Sequence, residues 1–468
     1  MVAKSRKRKT EEAGAAQPAR SPMPNWTISV RDFGRVASAE IEMAPMVVLV
    51  GKNNTGKSYI ASLLWAMMNA DEFLFRSEVE LGGLSKSTHA LAAKLEKLAK
   101  KANWTKSEQI SPVEDHLFDG SLFYLNELMG DKKNEIFKRL FSYASDVGSI
   151  QIAPDPASRS KFSVKAVPAP HEAHIGDHWS GSDDYSFHIA DGDLSIGSLL
   201  MIQSLVNKIV LGAPGHVGRE RPVFIPAART GLMIAFNTII AGLFEGLGSD
   251  GDKQRSRLPL PVARFLRCFT DLQAGNVNKL SPIVAALENE LIEGRVDASK
   301  DPIPSFWYEP DLLKTKLPLH ATSSMITELA PFLLLLKNGF SENGLVFEEP
   351  EAHLHISAQR TLARLLVRIM NAGTRVVITT HSDTFIQQLN NLMQLHAHPK
   401  RDVLMKKFGY TAEDLLDPAM VKGYEFNPTK NGKTIVTPTK MNPGGLVVPS
   451  LNETLIDLAK ELRVLQSD

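Results

Sequence analysis

The sequence contains almost no cysteine, because Cys268 is the only one among 468 residues. Without a second thiol no disulfide can form within the chain. This excludes the disulfide-stapled class of small secreted domains and favours a reducing cytoplasm. Uninterrupted apolar runs are short, and none approaches the roughly 20 residues that a membrane-spanning helix requires. We therefore expect a cytoplasmic protein with no membrane as a partner.

Net charge is also nearly absent: 53 Lys and Arg oppose 52 Asp and Glu, which leaves +1 at pH 7. No field over the whole molecule therefore attracts nucleic acid or an anionic membrane, although a local basic patch is compatible with this balance. Residues 1–24 are rich in Lys, Arg, Ala, Ser and Pro and lack the apolar segment of a signal peptide. We predict that they form a disordered basic tail.

The composition, 43% hydrophobic and 22% charged, is that of a globular protein with a sizeable core. Apolar and polar residues alternate over 26–43, which predicts two strands joined by a turn. Continuous apolar runs predict strands buried on both faces, as in a parallel sheet, and helical periodicity follows two of them. The predicted buried strands are 46–50, 344–347 and 375–380, and the helices 59–70 and 358–370. These units flank a long intervening segment and indicate an α/β fold.

Residues 51–58, with the sequence GKNNTGKS, match the pattern G-x-x-x-x-G-K-S in full and lie between a predicted strand and a predicted helix. In this pattern, here called the P-loop, glycines let main-chain amides curl around phosphate oxygens at a helix N-terminus. We expect Lys57 to reach the β- and γ-phosphates of ATP and Ser58 to hold Mg²⁺. The candidate nucleotide-binding residues are Gly51, Asn53, Asn54, Thr55, Gly56, Lys57 and Ser58.

Three acidic residues follow the apolar run 344–347, namely Glu348, Glu349 and, after Pro350, Glu351. In α/β folds the carboxyl ends of the strands are where ligands bind. Two adjacent carboxylates can divide the work, so we assign Glu348 to Mg²⁺ and Glu349 to polarising an attacking water. His381 follows the next predicted strand, and we interpret it as a catalytic contact to the γ-phosphate, although a lone histidine is more often structural.

Ser323 and Ser324 precede an apolar helical stretch. Serine is an ordinary helix N-cap, so one interpretation is purely structural. The other is that this helix N-terminus meets ATP held by a second copy of the chain. The residues alone give the two interpretations equal weight.

Together and in this order, these motifs resemble the ABC-type ATPases of the RecF and SMC kind. They are most similar to the subgroup shared by the OLD nucleases and several phage-defence ATPases. Residues 30–36 resemble the opening hairpin of the family, 51–58 its Walker A motif and 348–355 its Walker B motif and D-loop, while His381 matches the H-loop position. The resemblance covers residues 26–70, 222–236 and 318–390.

The resemblance implies an α/β fold, namely an ABC-type P-loop ATPase head with a mixed sheet plus a helical and small-β insertion. It places Ser323 and Ser324 in a signature loop that completes the ATP site of a second copy, and Arg229 near the nucleotide. Met325 stands where the family has glycine, which implies slow or partner-dependent hydrolysis. The implied divisions are a tail (1–24), a Walker A segment (25–75), the insertion (76–220), a C-terminal ATPase segment (221–390) and a hairpin with a helix (391–468).

The resemblance further implies ATP and Mg²⁺ as cofactors and a homodimeric ATPase unit, alone or within a larger homo-oligomer. No TOPRIM nuclease follows the ATPase motifs, and in this the chain resembles the ATPase subunits of PARIS-type and Septu-type defence systems. We therefore expect a sensor or scaffold of bacterial anti-phage defence that controls a separately encoded effector, a nuclease or toxin. A DNA-maintenance ATPase of the RecF or SMC type, with DNA as a partner, remains open, as does an ATP-driven assembly factor.

Overall fold

The computed structural model describes residues 25–70, 114–155, 221–245, 258–272, 279–313, 315–339 and 343–467, together with short isolated pieces between them. The predicted basic tail 1–24 and much of the predicted insertion 76–220 lie outside the described residues.

Strands occur along the whole described part of the chain, and half of them belong to one sheet. Their bounds are β1 (Trp26–Phe33), β2 (Val36–Glu42), β3 (Met46–Val50), β4 (Glu108–Gln109), β5 (Ser149–Pro154), β6 (Val164–Ala166), β7 (Asp177–His178), β8 (Tyr185–Phe187), β9 (Val223–Ile225), β10 (Gly294–Ala298), β11 (Phe306–Pro310), β12 (Leu317–Pro318), β13 (Gly344–Glu348), β14 (Arg375–Thr380), β15 (Val421–Pro428), β16 (Thr434–Pro438), β17 (Lys440–Asn442) and β18 (Gly445–Val447).

Helices alternate with these strands. Their bounds are α1 (Lys57–Met68), α2 (Glu114–Phe141), α3 (Arg229–Ile234), α4 (Phe236–Glu245), α5 (Leu260–Thr270), α6 (Ser281–Leu287), α7 (Ser324–Lys337), α8 (Ile356–Asn371), α9 (Asp383–Ala397), α10 (Arg401–Phe408) and α11 (Pro449–Ser467). A π-helical turn (Glu288–Ile292) continues α6, and short 3₁₀ turns are formed by Leu319–Ala321, Ala412–Asp414 and Pro418–Met420.

The main sheet of the described chain has nine strands in the order β5–β1–β2–β16–β15–β3–β14–β13–β9. Its centre is parallel, since β9, β13, β14, β3 and β15 all run in the same direction. Antiparallel pairs β1–β2, β1–β5 and β15–β16 extend it, which makes the sheet mixed. The predicted α/β fold with a mixed sheet is therefore confirmed, as are the opening hairpin and the three buried strands.

The C-terminal hairpin β15–β16 lies inside the sheet rather than at its end. β15 pairs in parallel with β3, with Lys422 opposite Val47, and β16 pairs in parallel with β2. The two strands that precede the P-loop, β2 and β3, thus pair with strands that lie more than 350 residues later in the chain. β5, which falls in the predicted insertion, pairs with β1 along the edge of the same sheet.

Helices cover both faces of the sheet, which accounts for the continuous apolar runs. Val47 and Leu49 of β3 belong to a buried cluster with the apolar side chains of α1 and α2. Val48 and Val50 belong to a second buried cluster with α5, α7, α8 and α9. A strand buried on both faces has no polar side, so its sequence cannot alternate.

Smaller sheets complete the described chain: β10–β11–β12, β17–β18 and, within residues 76–220, β4–β6–β8–β7. Among the described residues, every helix is too short or too polar to cross a bilayer.

Candidate functional site

The P-loop connects the end of β3 to the start of α1 in a conformation that depends on glycine. Gly51 (φ 155°), Asn54 (φ 59°) and Gly56 (φ 95°) all have positive φ. A Cβ atom at Gly51 would lie 2.9 Å from the Cβ of Phe426, and one at Gly56 would lie 2.9 Å from a methyl group of Val36. The loop is therefore pressed against β15 and β2, and side chains at these two positions have no room.

Lys57, the first residue of α1, folds back across this loop. Its ammonium group donates to the carbonyl oxygens of Gly51 (2.8 Å) and Lys52 (2.9 Å), and the Thr55 hydroxyl also donates to Lys52. The side chain is 5% exposed. Burial lowers the pKa of Lys57, and the carboxylates of Glu349, Glu351 and Glu348 oppose the shift.

Glu348 ends β13 beside Ser58. Its carboxylate accepts a hydrogen bond from the Ala227 amide (3.2 Å) and another from the Ser58 hydroxyl. Burial raises the pKa of Glu348, and these two hydrogen bonds oppose the shift. One carboxylate oxygen, Oε1, is buried without a hydrogen-bond partner. A hydroxyl and an unsatisfied carboxylate oxygen side by side are ligands that Mg²⁺ prefers, so the residues present fit this ion.

Glu349 turns away from β13 in the left-handed region, with φ 41°. Its amide donates to both the carbonyl (3.0 Å) and the hydroxyl (3.1 Å) of Thr379, which holds the turn against β14. Backbone strain of this kind in a non-glycine residue persists only where surrounding contacts enforce it, and it is concentrated at functional sites. The Glu349 side chain is 31% exposed and thus accessible to solvent.

His381 lies between two carboxylates at the end of β14. Its Nδ1 is 3.8 Å from Glu349 Oε1 and 3.6 Å from Glu351 Oε1. Glu351 is buried, and its Oε1 accepts from the Thr380 hydroxyl (2.7 Å) and the His381 amide (2.9 Å). Glu351 therefore positions His381 next to Glu349. Sequence reasoning missed this role, although the third acidic residue of the motif was a visible signal.

Arg229 begins α3 and is completely buried. Its guanidinium donates to the carbonyl oxygens of Glu348 (3.0 Å) and Glu349 (3.1 Å), and its Nε lies 2.7 Å from Glu328 Oε2. It also stacks over the Phe347 ring at 4.8 Å. Burial lowers the pKa of Arg229, and the Glu328 carboxylate opposes the shift. The contacts of the Arg229 side chain with the Glu348 and Glu349 carbonyl groups support a role in positioning the end of β13. The expected contact of Arg229 with the nucleotide stays a prediction.

Ser323 and Ser324 open α7 as predicted for a helix start. The Ser323 hydroxyl accepts from the Ile326 amide at 3.4 Å, which confirms its role as an N-cap. Both serines are exposed, whereas Met325 is half-buried. Contact with a second copy stays a prediction. Glu328 on the same helix joins this segment to Arg229 and, at 3.7 Å, to the exposed His353 ring.

The structure thus brings most of the predicted residues to one edge of the sheet. Lys57, Ser58, Glu348, Glu349 and His381 all lie at the carboxyl ends of adjacent parallel strands. Asn53 and Asn54 are exposed on the P-loop, where their side chains face solvent, and Thr55 is buried beneath it. Among the described residues no group of three or more His, Cys, Asp or Glu side chains forms a metal cluster.

A family model described as "AAA ATPase domain" matches residues 26–142 and 271–386. The matched segments contain the P-loop, Ser323 and Ser324, the acidic residues after β13, and His381. This chain carries an AAA ATPase domain. Arg229 lies between the two matched segments of the ATPase domain, and the hairpin β15–β16 lies after them, although both contact its nucleotide-binding edge.

Solved structures that are similar to this chain include an SMC head bound to the C-winged helix domain of ScpA. The two sequences are 12% identical, the match covers 89% of this chain and 97% of that chain, and the TM-score is 0.35. Others are the SMC head domain from Thermotoga maritima (10%; 90% and 100%; 0.33) and an SMC head with an extended coiled coil bound to the C-terminal domain of ScpA from Pyrococcus furiosus (12%; 93% and 98%; 0.33). No curated protein matches the sequence.

Proposed function

We propose that the ATPase domain binds MgATP at the P-loop edge and hydrolyses it. The observation that carries this proposal is the position of Glu349: a solvent-accessible carboxylate, held by a strained turn, next to His381 and one residue after the buried Glu348. Glu349, which can accept a proton from water, thus lies at the same edge of the sheet as the phosphate-binding P-loop.

The P-loop supplies the binding energy for the phosphates. Its amides and the N-terminus of α1 direct positive potential to one point, and Lys57 adds a full charge. In the structure the ammonium group is held by the carbonyl oxygens of Gly51 and Lys52. Those bonds hold a largely buried amine beside the loop, where we expect it to donate to a β- or γ-phosphate oxygen of bound ATP.

Ser58 and Glu348 would hold Mg²⁺, which supplies positive charge that neutralises the phosphates during transfer. Glu348 Oε1 is already buried without a donor, so the chain keeps one acceptor free for this purpose. The hydrogen bond from Ala227 fixes the other oxygen and prevents rotation of the carboxylate.

Glu349 accepts a proton from the attacking water, and His381 contacts the γ-phosphate. Glu351 fixes His381 through the main-chain amide, so the distance between the histidine and Glu349 depends on a buried carboxylate. Arg229 donates to the carbonyl groups of Glu348 and Glu349 and therefore fixes the main chain from which both carboxylate side chains extend. It is a positioning residue in this proposal.

Hydrolysis would require two copies of the chain, each donating Ser323 and Ser324 to the ATP of the other. Support comes from their exposure at the N-terminus of α7, because the first turn of a helix carries partial positive charge that favours an anion. Met325 at the third position would keep the two surfaces further apart than glycine would, so we expect slow turnover in the absence of a partner protein.

Replacing Glu349 with Gln tests the hydrolysis proposal, with Glu40→Gln on the exposed side of β2 as the matched control. We expect Glu349→Gln to retain ATP binding and to lose hydrolysis by about 100-fold or more, because the base is removed and its shape is kept. The control should retain both activities. Unchanged hydrolysis in Glu349→Gln would show that the assignment is wrong.

For the cellular role we propose a cytoplasmic sensor or scaffold of bacterial anti-phage defence, in which ATP-dependent pairing controls a separately encoded nuclease or toxin. The resemblance of the motifs to stand-alone defence ATPases supports this role. The alternative is a DNA-maintenance ATPase, which is favoured by the motifs shared with RecF and SMC proteins and opposed by the net charge of +1.

The two roles differ in what the protein retains when it is purified together with the products of its neighbouring genes. A stoichiometric protein partner supports the defence role and identifies the effector. DNA retained only with ATP, with an affinity that falls steeply as salt increases, supports the DNA-maintenance role instead.

A further inference from the structure

Helix α10 adds nothing to the buried core of the described chain. None of its eight residues is buried, and Val403 and Phe408 are 66% and 57% exposed. It closely follows α9 and ends before Gly409, which has the left-handed conformation of a helix C-cap. Core packing therefore does not explain the residues that this helix presents to solvent.

The surface around α10 is strongly basic, although the chain as a whole carries a net charge of only +1. Residues 400–410 contain four cations and one anion, which gives +3: Lys400, Arg401, Lys406, Lys407 and Asp402. Asp402 lies 3.3 Å from Arg401, so the one carboxylate is already paired. The three lysines are exposed, and none forms an ion pair within the part of the chain that the structure describes.

The acidic residues that follow this segment are engaged in other contacts. Asp414 is buried between Arg364 (3.1 Å) and Arg368 (2.7 Å). Glu413 and Asp417 form hydrogen bonds within the turns in which they lie, and neither pairs with a lysine of α10. The positive charge of the three lysines is therefore available to a negatively charged ligand.

Aromatic rings lie beside these cations. The Lys407 ammonium group is 5.4 Å from the centroid of the Phe408 ring, and the ring centroids of Phe408 and Tyr410 are 6.4 Å apart. The Tyr410 ring is held in place, because the Arg364 guanidinium lies 5.0 Å above it and the buried Gln388 donates to its hydroxyl at 3.1 Å. An exposed ring next to an ammonium group offers a nucleobase a surface for stacking and offers its phosphate a cation.

We propose that single-stranded nucleic acid binds to this surface, here called the α10 surface (Lys400, Lys406, Lys407, Phe408 and Tyr410). The lysines contact phosphates, and Phe408 stacks on a base. In a duplex the bases stack on one another, so only a base of a single strand is accessible to Phe408. An acidic peptide would pair with the lysines as well but has no planar group for Phe408. The combination of charge and ring therefore favours a nucleic acid.

The salt dependence of binding tests the phosphate contacts. It is measured by fluorescence anisotropy with the full chain, without ATP, and a labelled oligothymidylate of about 16 nucleotides. Each phosphate contact to a single strand contributes about −0.7 to the slope of log K against log salt concentration. We therefore expect Lys406→Gln combined with Lys407→Gln to make this slope less steep by about 1.4. Lys300→Gln combined with Lys440→Gln removes two exposed charges elsewhere and should leave the slope unchanged. An unchanged slope in the first pair, or an equal change in both pairs, would overturn the proposal.

The stacking contact is tested by the affinity itself. Phe408→Ala should weaken binding by about fivefold to 150-fold and leave the salt slope unchanged, because the substitution removes a ring and no charge. Phe123→Ala removes a ring of similar exposure (54%) on α2 and should bind as the wild type does. The same titration with oligouridylate separates RNA from DNA, and binding of either supports the proposal. Unaltered affinity of Phe408→Ala, equal affinity for duplex DNA, or binding to phosphatidylglycerol vesicles but to neither oligonucleotide would refute it.

Binding at the α10 surface does not depend on ATP hydrolysis, because none of its residues belongs to the P-loop edge, and the variants separate the two sites. Lys57→Ala should abolish ATP binding and retain the oligonucleotide. Lys406→Gln combined with Lys407→Gln should retain ATP hydrolysis measured without nucleic acid. Loss of the oligonucleotide in Lys57→Ala, together with normal binding in the double variant, would place the strand at the P-loop and contradict the proposal.

Discussion

Arg229 allows a sharp distinction between a residue that binds ATP and one that positions others. Its guanidinium bridges Glu328 of α7 and the carbonyl groups of Glu348 and Glu349, with no part of the side chain exposed. The substitution Arg229→Lys keeps the charge but replaces the planar fork with a single nitrogen. Lysine can satisfy only part of this set of acceptors at once.

The expected cost follows from the burial of both partners. Removing one member of a buried ion pair costs about 3–5 kcal/mol, because the remaining charge is left without compensation. We expect Arg229→Met to lower the free energy of unfolding by this full amount and Arg229→Lys to lower it by less. In a double-mutant cycle with Glu328→Gln, we expect the two losses to be non-additive by about 0.5–3 kcal/mol, since each variant removes the same contact.

The assay combines urea unfolding with steady-state ATP hydrolysis, and Asp414→Asn is the matched control. Asp414 is also fully buried and paired, with Arg368 at 2.7 Å and Arg364 at 3.1 Å, but this pairing joins a 3₁₀ turn to α8 away from the P-loop edge. Both variants should lose stability, yet only Arg229→Lys should lower kcat, by about tenfold to 100-fold, with KM for ATP nearly unchanged. A raised KM with normal kcat would show direct contact with the nucleotide, and unchanged kinetics would show a purely structural role.

Two further variants test the roles of Glu348 and Met325. Burial raises the pKa of Glu348, so ionised Glu348 destabilises the fold and stability decreases as pH rises through that pKa. Without Mg²⁺, Glu348→Gln should therefore increase the free energy of unfolding at neutral pH by about 1–3 kcal/mol and lose the additional stabilisation by MgATP, both measured by thermal melting. An Mg²⁺-dependent shift as large as that of the wild type would contradict this. Met325→Gly should raise kcat several-fold at a helix cost of about 0.5–1 kcal/mol, and an unchanged kcat would show that Met325 does not limit turnover.

The sequence predicted the centre of the fold because the central strands are buried on both faces. Runs such as 46–50 contain no polar residue, as a strand covered by helices on both sides requires. The position of β15–β16 was not predictable in the same way. Alternation shows that a hairpin is half-buried, but it does not show which strands more than 350 positions away will pair with it.

The site was predictable wherever a motif has a fixed local spacing, as in the P-loop and the acidic residues after β13. Arg229 and Glu351 act through contacts between distant segments, and no local pattern encodes those contacts. A buried arginine with carbonyl partners and a nucleotide-binding arginine are identical in sequence, so burial and bond direction are needed to separate them.

Complementation between two inactive variants tests most directly whether two copies build each ATP site. Lys57→Ala disables one P-loop, and Ser323→Arg disables one signature loop. A mixed dimer then retains one intact site, with the P-loop of one copy and the serines of the other. We expect each variant alone to be inactive and an equal mixture to recover about one quarter of wild-type hydrolysis, since half of the dimers are mixed and have one site of two. A mixture as inactive as its components, or full activity of Ser323→Arg alone, would contradict the shared site.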